Sequence, residues 1–175
     1  MTDFEYAIHD GHIEIVKYTG TVSEVLIPST IDGLPVTHIG DSAFWCRKHL
    51  TSVTIPESVT HIGKKAFYWC ESLTSIQLPE NLTHLGERAF FLCKSPPSVT
   101  IPASVTDIGD GAFNSCRNLT TVEIPENVMH IGDYAFSWCH NLTIVGRSET
   151  AAEWYANKEG IPFQKTDQAC QLPPS

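Results

Sequence analysis

A motif of 23 residues occurs five times in succession in this chain of 175 residues. Each copy has an isoleucine or leucine, then a glycine, and three residues after the glycine the pair Ala-Phe. The five pairs are Ala43-Phe44, Ala66-Phe67, Ala89-Phe90, Ala112-Phe113 and Ala135-Phe136. A fixed period of roughly 20 to 50 residues is typical of repeat proteins, in which each unit buries its apolar face only by stacking on the next. The period therefore predicts a solenoid whose like residues form columns along one axis.

Each repeat contains one segment with the alternating pattern of a half-buried strand. In one copy, Val53 and Ile55 alternate with polar residues. Pro56 follows and ends the strand, because proline has no N–H to donate to a ladder. The sequence thus predicts an α/β repeat protein with one short parallel strand per repeat. A second extended segment, 59–62 in this copy, leads to the glycine.

The apolar positions predict the inward columns. Phenylalanines form one column, and the others are Leu50, Leu73, Leu119 and Leu142, and Val53, Ile76, Val99, Val122 and Val145. Pro96 takes the leucine place in the third copy, with Pro97 behind it, which predicts a looser turn there. The repeated glycine is expected to supply a backbone angle that a side chain would forbid. The Ala-Phe pair is expected to pack inward from one helical turn.

Composition excludes several classes of partner. Acidic residues outnumber basic ones by 20 to 11, which argues against nucleic acid and against an anionic membrane surface. No apolar run reaches the roughly 18 residues that a membrane span requires, so membrane insertion is not expected. The first residues show no secretion signal. Location therefore stays open: cytoplasmic if Met1 is the true start, and outside the cell if a signal was removed.

One polar column contains four histidines and an aspartate: His38, His61, His84, Asp107 and His130. Stacked parallel strands would place these side chains about 5 Å apart. Neutral imidazole binds zinc and nickel, so metal binding is one hypothesis for this column. A solvated polar column without metal is the simpler interpretation, and no cofactor is expected. Protonation below about pH 6 would make neighbouring imidazoles repel one another.

A second column contains cysteines, namely Cys70, Cys93, Cys116 and Cys139. Cys46 lies one place early in the first copy, and Arg47 takes its position. The paired spacing of a zinc site is absent, and small thiols are readily buried. We therefore expect buried free thiols, with Cys170 exposed in the C-terminal tail and able to cross-link chains.

Two surfaces are candidates for binding a partner. Outward positions of the strands carry mainly small hydroxyl residues, with no aromatic or arginine anchor. The candidates there are Ser52, Thr54, Ser75, Gln77, Thr100, Thr121 and Glu123, with Ile144 expected to continue the column. On the opposite edge, aromatic residues follow the Ala-Phe pairs: Trp45, Tyr68, Trp69, Phe91 and Trp138, with Leu92 among them. They either complete the core over the turns or form an exposed patch for a partner.

The two ends have the signals of caps. Asp10-Gly11 lies between two alternating segments and predicts a hairpin over residues 1–20. Thr150 and Glu153 have the spacing of a capping box that opens a helix, and Gly160 ends it. We expect one structural domain: the hairpin cap, a solenoid over 21–146, a helix and strand cap over 147–165, and a disordered tail over 166–175.

The repeated string Ile-Gly-x-x-Ala-Phe-x-x-Cys-x-x-Leu-Thr-x-Val-x-Ile-Pro resembles the BspA-like leucine-rich repeats. The match runs from Ile39 to Val145, and the segment around 27–36 resembles a first repeat with five extra residues. The resemblance implies a bacterial, or occasionally protozoan, protein of the cell-surface type, with members linked to adhesion to host matrix proteins. It implies a leucine-rich-repeat solenoid and no particular binding residue.

The function predicted is a non-catalytic module for protein binding or adhesion. Catalysis is not expected, because serines and histidines recur in columns and a catalytic set is a single asymmetric cluster. Two alternatives stay open. One is a structural, self-associating scaffold inside the cell, and the other is metal binding by the histidine column.

Overall fold

A computed structural model describes residues 3–166. Its strands and its helix follow in chain order: β1 (Phe4–His9), β2 (His12–Tyr18), β3 (Glu24–Leu26), β4 (Thr30–Ile31), β5 (Leu34–Ile39), β6 (Ser52–Thr54), β7 (His61–Ile62), β8 (Ser75–Gln77), β9 (His84–Leu85), β10 (Ser98–Thr100), β11 (Asp107–Ile108), β12 (Thr121–Glu123), β13 (His130–Ile131), β14 (Thr143–Gly146), α1 (Ala151–Glu159) and β15 (Phe163–Lys165). The expected tail, with Cys170, lies almost entirely outside the described residues.

The repeats form the coils of a solenoid with two sheet faces. The strand face runs β3-β6-β8 and then β10-β12-β14-β15, with all its strands parallel. The second face runs β1-β2-β5-β7-β9-β11-β13, and β4 pairs with β5 beside it. The second extended segment of each repeat therefore forms a ladder of its own. The predicted parallel solenoid is confirmed, with residues 23 apart paired, as in Ser52 with Ser75 and His61 with His84.

The third side of each coil is a run of turns, where one helical turn was expected. Two residues in every run have left-handed backbone angles, for example Lys65 at φ 57° and Trp69 at φ 63°. Amides alternate between two kinds of acceptor. The Ala66 N–H donates within the coil, to Gly63 O at 3.3 Å, and the Phe67 N–H donates to Ala89 O of the next coil at 2.8 Å. In this coil, all three sides are thus bonded to a neighbouring coil.

The repeated glycine is needed for close approach, and the expectation of an unusual backbone angle was wrong. Gly63 and Gly86 are not among the residues with positive φ. A Cβ on Gly86 would instead lie 2.6 Å from the carbonyl carbon of Gly63 and 2.7 Å from its oxygen. Because backbone of the preceding coil fills that space, a side chain cannot be accommodated.

The phenylalanine column is confirmed as the centre of the core. The five rings are buried and stacked, with centroids between 4.8 and 5.5 Å apart. Tyr18 continues the stack at the N-terminal end, 5.2 Å from Phe44, and Tyr155 closes it edge-on, 5.9 Å from Phe136. Burial of each ring contributes about 2 kcal/mol relative to exposure.

Three departures from the repeat have local causes. The five extra residues form the hairpin β4–β5, whose turn residues Asp32 and Gly33 both have positive φ. The strand face is interrupted between β8 and β10, where Pro97 has no N–H to donate, as the predicted looser turn suggested. In the last repeat the expected register was wrong by one residue: Thr121 pairs with Thr143, so Ile144 is buried and Val145 lies on the outer side.

The predicted caps are present. β1 and β2 form the hairpin at Asp10-Gly11, and α1 ends at Gly160, which has φ 68°. The capping box was wrong in detail. Thr150 is the N-cap residue, but its hydroxyl donates to Arg147 O at 2.7 Å, and Glu153 accepts the N–H of Glu149. No helix within residues 3–166 is long and apolar enough to cross a membrane.

Candidate interaction surface

The aromatic residues after the Ala-Phe pairs point to the outside of the solenoid. Trp45 is 55% exposed and Trp69 is 36% exposed, while Tyr68, Phe91 and Leu92 are half-buried. These five residues come from three successive coils, and we call them the turn surface. The exposure of Trp45 and Trp69 favours an outer patch over completion of the core for these two residues, whereas Tyr68, Phe91 and Leu92 are half-buried over the turns.

Neighbouring groups hold the turn surface in place. The Lys48 ammonium lies 4.0 Å from the centre of the Trp69 ring, and the Trp69 indole N–H donates to Glu71. Lys48 and Glu71 also pair with each other at 3.5 Å. Beside them the rings of Tyr68 and Phe91 stack at 4.8 Å with their planes 4° apart. Side chains fixed in this way lose little conformational freedom when a partner binds.

Trp138 lies apart from this surface. It is 67% exposed, but one whole coil lies between it and Leu92, whose amide donates to Asn114 O of that coil. The column between them holds Ser115, so the patch is not continuous. Trp138 instead contacts His140 edge-on at 5.9 Å.

The predicted outward residues of the strand face are polar, and Leu26 and Val145 lie on the same side. Thr54, Gln77, Thr100 and Glu123 form one exposed column, interrupted between β8 and β10. The other predicted residues form the second column, in which Ser75 is exposed, whereas Ser52 and Thr121 are half-buried. Of the predicted candidates, this face has hydroxyl, amide and carboxylate groups and no aromatic anchor.

The histidine column is longer than predicted. The rings of His38, His61 and His84 stack with centroids 4.2 Å apart, and His12 of the hairpin joins them at 4.8 Å from His38. Each of the three repeat imidazoles has a threonine hydroxyl at Nδ1, as in Thr60 and His61 at 2.7 Å. The pairing of β2 with β5 places His12, and the repeat pattern gave no sign of it.

The arrangement of the histidine column bears on its charge and on metal binding. Burial lowers the pKa of His38 and of His61, and repulsion from the neighbouring imidazoles lowers it further. Asp107 pairs with His84 and with His130 in the ladder. The rings lie face to face, and residues 3–166 contain no group of three or more potential ligands that could hold a metal ion.

The cysteine column has a structural role. Cys70, Cys93, Cys116 and Cys139 are buried free thiols, as predicted. Each thiol donates to the carbonyl oxygen of the phenylalanine one coil earlier, at 3.1 to 3.2 Å. Burial raises the pKa of Cys139 to about 11 and that of Cys93 well above its usual value. In the first coil Arg47 takes this role, and its guanidinium donates to the carbonyl of Tyr18.

Comparisons with known proteins agree with this architecture. The family model described as the BspA type leucine rich repeat region matches residues 37–156 in six copies. The structure is similar to that of a leucine rich repeat protein of T. pallidum, with 36% identity, a TM-score of 0.79, and coverage of 82% of this chain and 68% of that one. No curated protein matches the chain significantly.

Two further solved structures are similar at lower identity. One is a leucine rich cell surface protein from Faecalibacterium prausnitzii, 29% identical with a TM-score of 0.55, covering 84% of this chain and 54% of that one. The other is a leucine-rich repeat protein from Bacteroides capillosus, 28% identical with a TM-score of 0.53, covering 83% and 95%. This chain thus spans about half of the F. prausnitzii protein.

Proposed function

Since the chain belongs to the BspA-type leucine-rich repeat family, we propose that it is a non-catalytic module that binds a protein partner through the turn surface. The observation that carries the proposal is the exposure of Trp45 and Trp69, together with the Lys48 and Glu71 contacts that hold Trp69. Tryptophan and tyrosine anchors dominate the energetics of protein interfaces. Proteins of this repeat class are generally interaction modules, and the proposal assigns that role to a specific surface.

The turn surface is suited to a partner and not required by the core. The phenylalanine column beneath it is already buried and stacked, so truncation of Trp45 removes little packing. The Trp69 side chain, at a left-handed backbone position, is 36% exposed. Its neighbours Lys48 and Glu71 supply one charge of each sign at the rim, an arrangement that suits a protein surface of mixed character.

Adhesion to host matrix proteins is the finer form of this proposal. It draws on the family resemblance and on the similarity to a protein named as a cell surface protein. It carries with it a location at the cell surface. The polar strand face, with Ser75, Gln77 and Thr100, is the second candidate surface. Its hydroxyl and amide groups can form many weak hydrogen bonds with an extended partner.

A biosensor experiment tests the proposal. Fibronectin, laminin and collagen are immobilised separately, and the intact chain is passed over each at physiological salt. The double variant Trp45→Ser and Trp69→Ser should lose at least tenfold in affinity for any protein that binds, while its circular dichroism spectrum stays that of the wild-type chain. Trp154→Ser is the matched control, because Trp154 is 64% exposed on α1, away from the turn surface.

The outcomes separate the alternatives. Loss of affinity in Ser75 and Gln77 variants alone would transfer binding to the strand face. Absence of binding to all three proteins would remove the adhesion proposal. Light scattering could instead show oligomers of the intact chain that grow with concentration. If the tryptophan double variant is then monomeric, the chain is a self-associating scaffold.

A further inference from the structure

The first strand of the strand face has no neighbouring strand on its outer side within residues 3–166. β3 is the terminal strand of its sheet, paired only with β6 among residues 3–166. The N-terminal hairpin covers the other face, where β2 and β1 extend the sheet by two strands beyond β5. The cap is therefore one-sided, and it leaves a step beside β3. We call this step the N-terminal notch: the outer edge of β3 with Asp3, Phe4 and Val22.

Main-chain groups of β3 are available in the notch. In a parallel ladder, alternate residues bond to the same neighbour. Here Ser52 N–H donates to Ser23 O at 3.2 Å and Ile27 N–H donates to Thr54 O at 3.0 Å. The N–H and C=O groups of Glu24 and Leu26 consequently point away from β6, into the notch.

The side chains around this edge are apolar and acidic. Leu26 is 72% exposed and Val22 is 53% exposed, which is unusual for large apolar residues on a sheet edge. A shallow cavity beside them is lined by Phe4, Tyr18 and Val25, with Asp3 and Glu24 at its rim. No ion pair within the described part of the chain engages either carboxylate.

A second copy stacked end to end does not fit this position. Its available strand would be β15, which ends the strand face at the other end of the solenoid. If β15 of the second copy paired with β3 of the first, the projecting strands β1 and β2 of the first copy would have to occupy the space beside β13 of the second copy. Helix α1, which packs on β13 and β14, already lies there.

From these features we infer that β3 binds an extended segment of a partner protein, with alternating basic and apolar side chains, by strand addition in the N-terminal notch. The segment pairs its main chain with Glu24 and Leu26. Its basic side chains lie on the outward face, where they pair with Glu24 and cover Leu26 with their methylene stems. Its apolar side chains lie on the other face and enter the cavity lined by Phe4, Tyr18 and Val25. Strand addition obtains affinity from main-chain hydrogen bonds and specificity from alternate side chains. This site is separate from the turn surface, so either can fail without the other.

Fluorescence polarisation with a defined peptide tests the inference. The probe is a fluorescein-labelled, acetylated and amidated hexapeptide in which lysine and valine alternate. Two comparison peptides replace lysine with glutamate, or carry N-methyl groups on alternate amides. The intact chain should bind the probe saturably, bind the glutamate peptide at least tenfold more weakly, and fail to bind the N-methylated peptide, which has the same charge but cannot pair as a strand.

Variants of the chain locate the site. Leu26→Pro removes an N–H that points away from β6, and proline is tolerated at such an edge, so binding should be lost with the thermal midpoint unchanged. Glu24→Lys should weaken binding at least tenfold even if Leu26→Pro does not fold. Glu123→Lys is the matched control, an exposed carboxylate on β12 of the same face, and should leave binding unchanged.

Three results would overturn the inference. The first is no binding at millimolar peptide. The second is equal binding of the N-methylated peptide, which would indicate adsorption of a cation to an acidic chain. The third is a dimer in solution that Leu26→Pro or Glu24→Lys converts to monomer, because a second copy would then cover the edge.

Discussion

Replacement of Gly86 by alanine should destabilise the solenoid far more than the same change at Gly111. At Gly86 the new Cβ would lie 2.6 Å from backbone of the preceding coil, whereas ordinary contacts begin at 3.4 Å. The coils would have to separate by about 0.8 Å at a place where backbone atoms cannot move aside. At Gly111 the nearest atom is the Arg88 Cγ at 3.3 Å, part of a flexible side chain.

The size of the effect follows from the ladder around Gly86. The Gly86 N–H donates to Ile62 O at 2.9 Å, the Lys65 N–H to Glu87 O at 2.8 Å and the Phe67 N–H to Ala89 O at 2.8 Å. Loss of two or three such bonds, at about 1 kcal/mol each, plus strain, gives a loss of about 3 kcal/mol or more. Gly111 has φ 60°, at a place where other repeats have serine, lysine, arginine and tyrosine, so alanine there should cost about 1 kcal/mol.

Guanidinium chloride unfolding, followed by circular dichroism, measures both variants against the wild type. The expected order is wild type, then Gly111→Ala, then Gly86→Ala, with the last variant at the lowest midpoint. Equal losses in the two variants would refute the reasoning, because they would mean that the close approach of backbone at Gly86 costs no more than the left-handed angle at Gly111. A larger loss at Gly111 would refute it more directly.

Three further predictions concern the columns and the interruption. Replacement of Pro96 by leucine and Pro97 by threonine should raise the free energy of unfolding by about 2 kcal/mol. In the preceding coil the residues at these two positions are Leu73, which is fully buried, and Thr74, whose N–H donates to Thr51 O at 3.0 Å. An unchanged denaturation midpoint would contradict this prediction. The four buried thiols should resist alkylation by iodoacetamide in the native chain at pH 8. Burial raises the pKa of Cys139 to about 11 and that of Cys93 and Cys116 well above the usual value. Mass spectrometry that finds these thiols alkylated before the chain unfolds would count against the prediction. The folded-state pKa of His38 and His61 lies below the unfolded value of about 6.5. Because the unfolded chain therefore binds protons first, stability is complete above that pH and falls as the pH drops below it. The thermal midpoint of His61→Asn should fall less between pH 7 and pH 5.5 than that of the wild type, and parallel curves for the two proteins would remove the histidine stack as the cause.

The repeat period was sufficient to predict the columns, because one register determines every coil. Phe44 and Phe67 had to stack once their repeats were paired, and the cysteine column had to follow them. The sequence could not show why the glycine is there. A backbone angle and a close approach of two chains both select glycine, and only the position of the neighbouring coil distinguishes them.

The surface was less predictable than the core. The repeat pattern is compatible with two positions for the side chains of Trp45 and Trp69, over the core or outside it. The left-handed backbone angle at Trp69 is not visible in the pattern. The register of the last coil was misjudged because Ile144 and Val145 are both apolar, so that only the pairing with β12 and β15 shows which is buried. Arg47 looked like a gap in the cysteine column, yet it provides the same hydrogen bond to the carbonyl one coil earlier.

Hydrogen bonding on three sides of the coils, interrupted on the strand face between β8 and β10, has a mechanical consequence. A force applied to the chain ends must detach the terminal coil from its neighbour along both ladders and the turns before the next coil bears load. Each coil of 23 residues then releases roughly 80 Å of extended chain. Stretched from its ends, this molecule should lengthen in a series of equal steps, which lets it dissipate a pull one coil at a time while the remaining coils keep their shape.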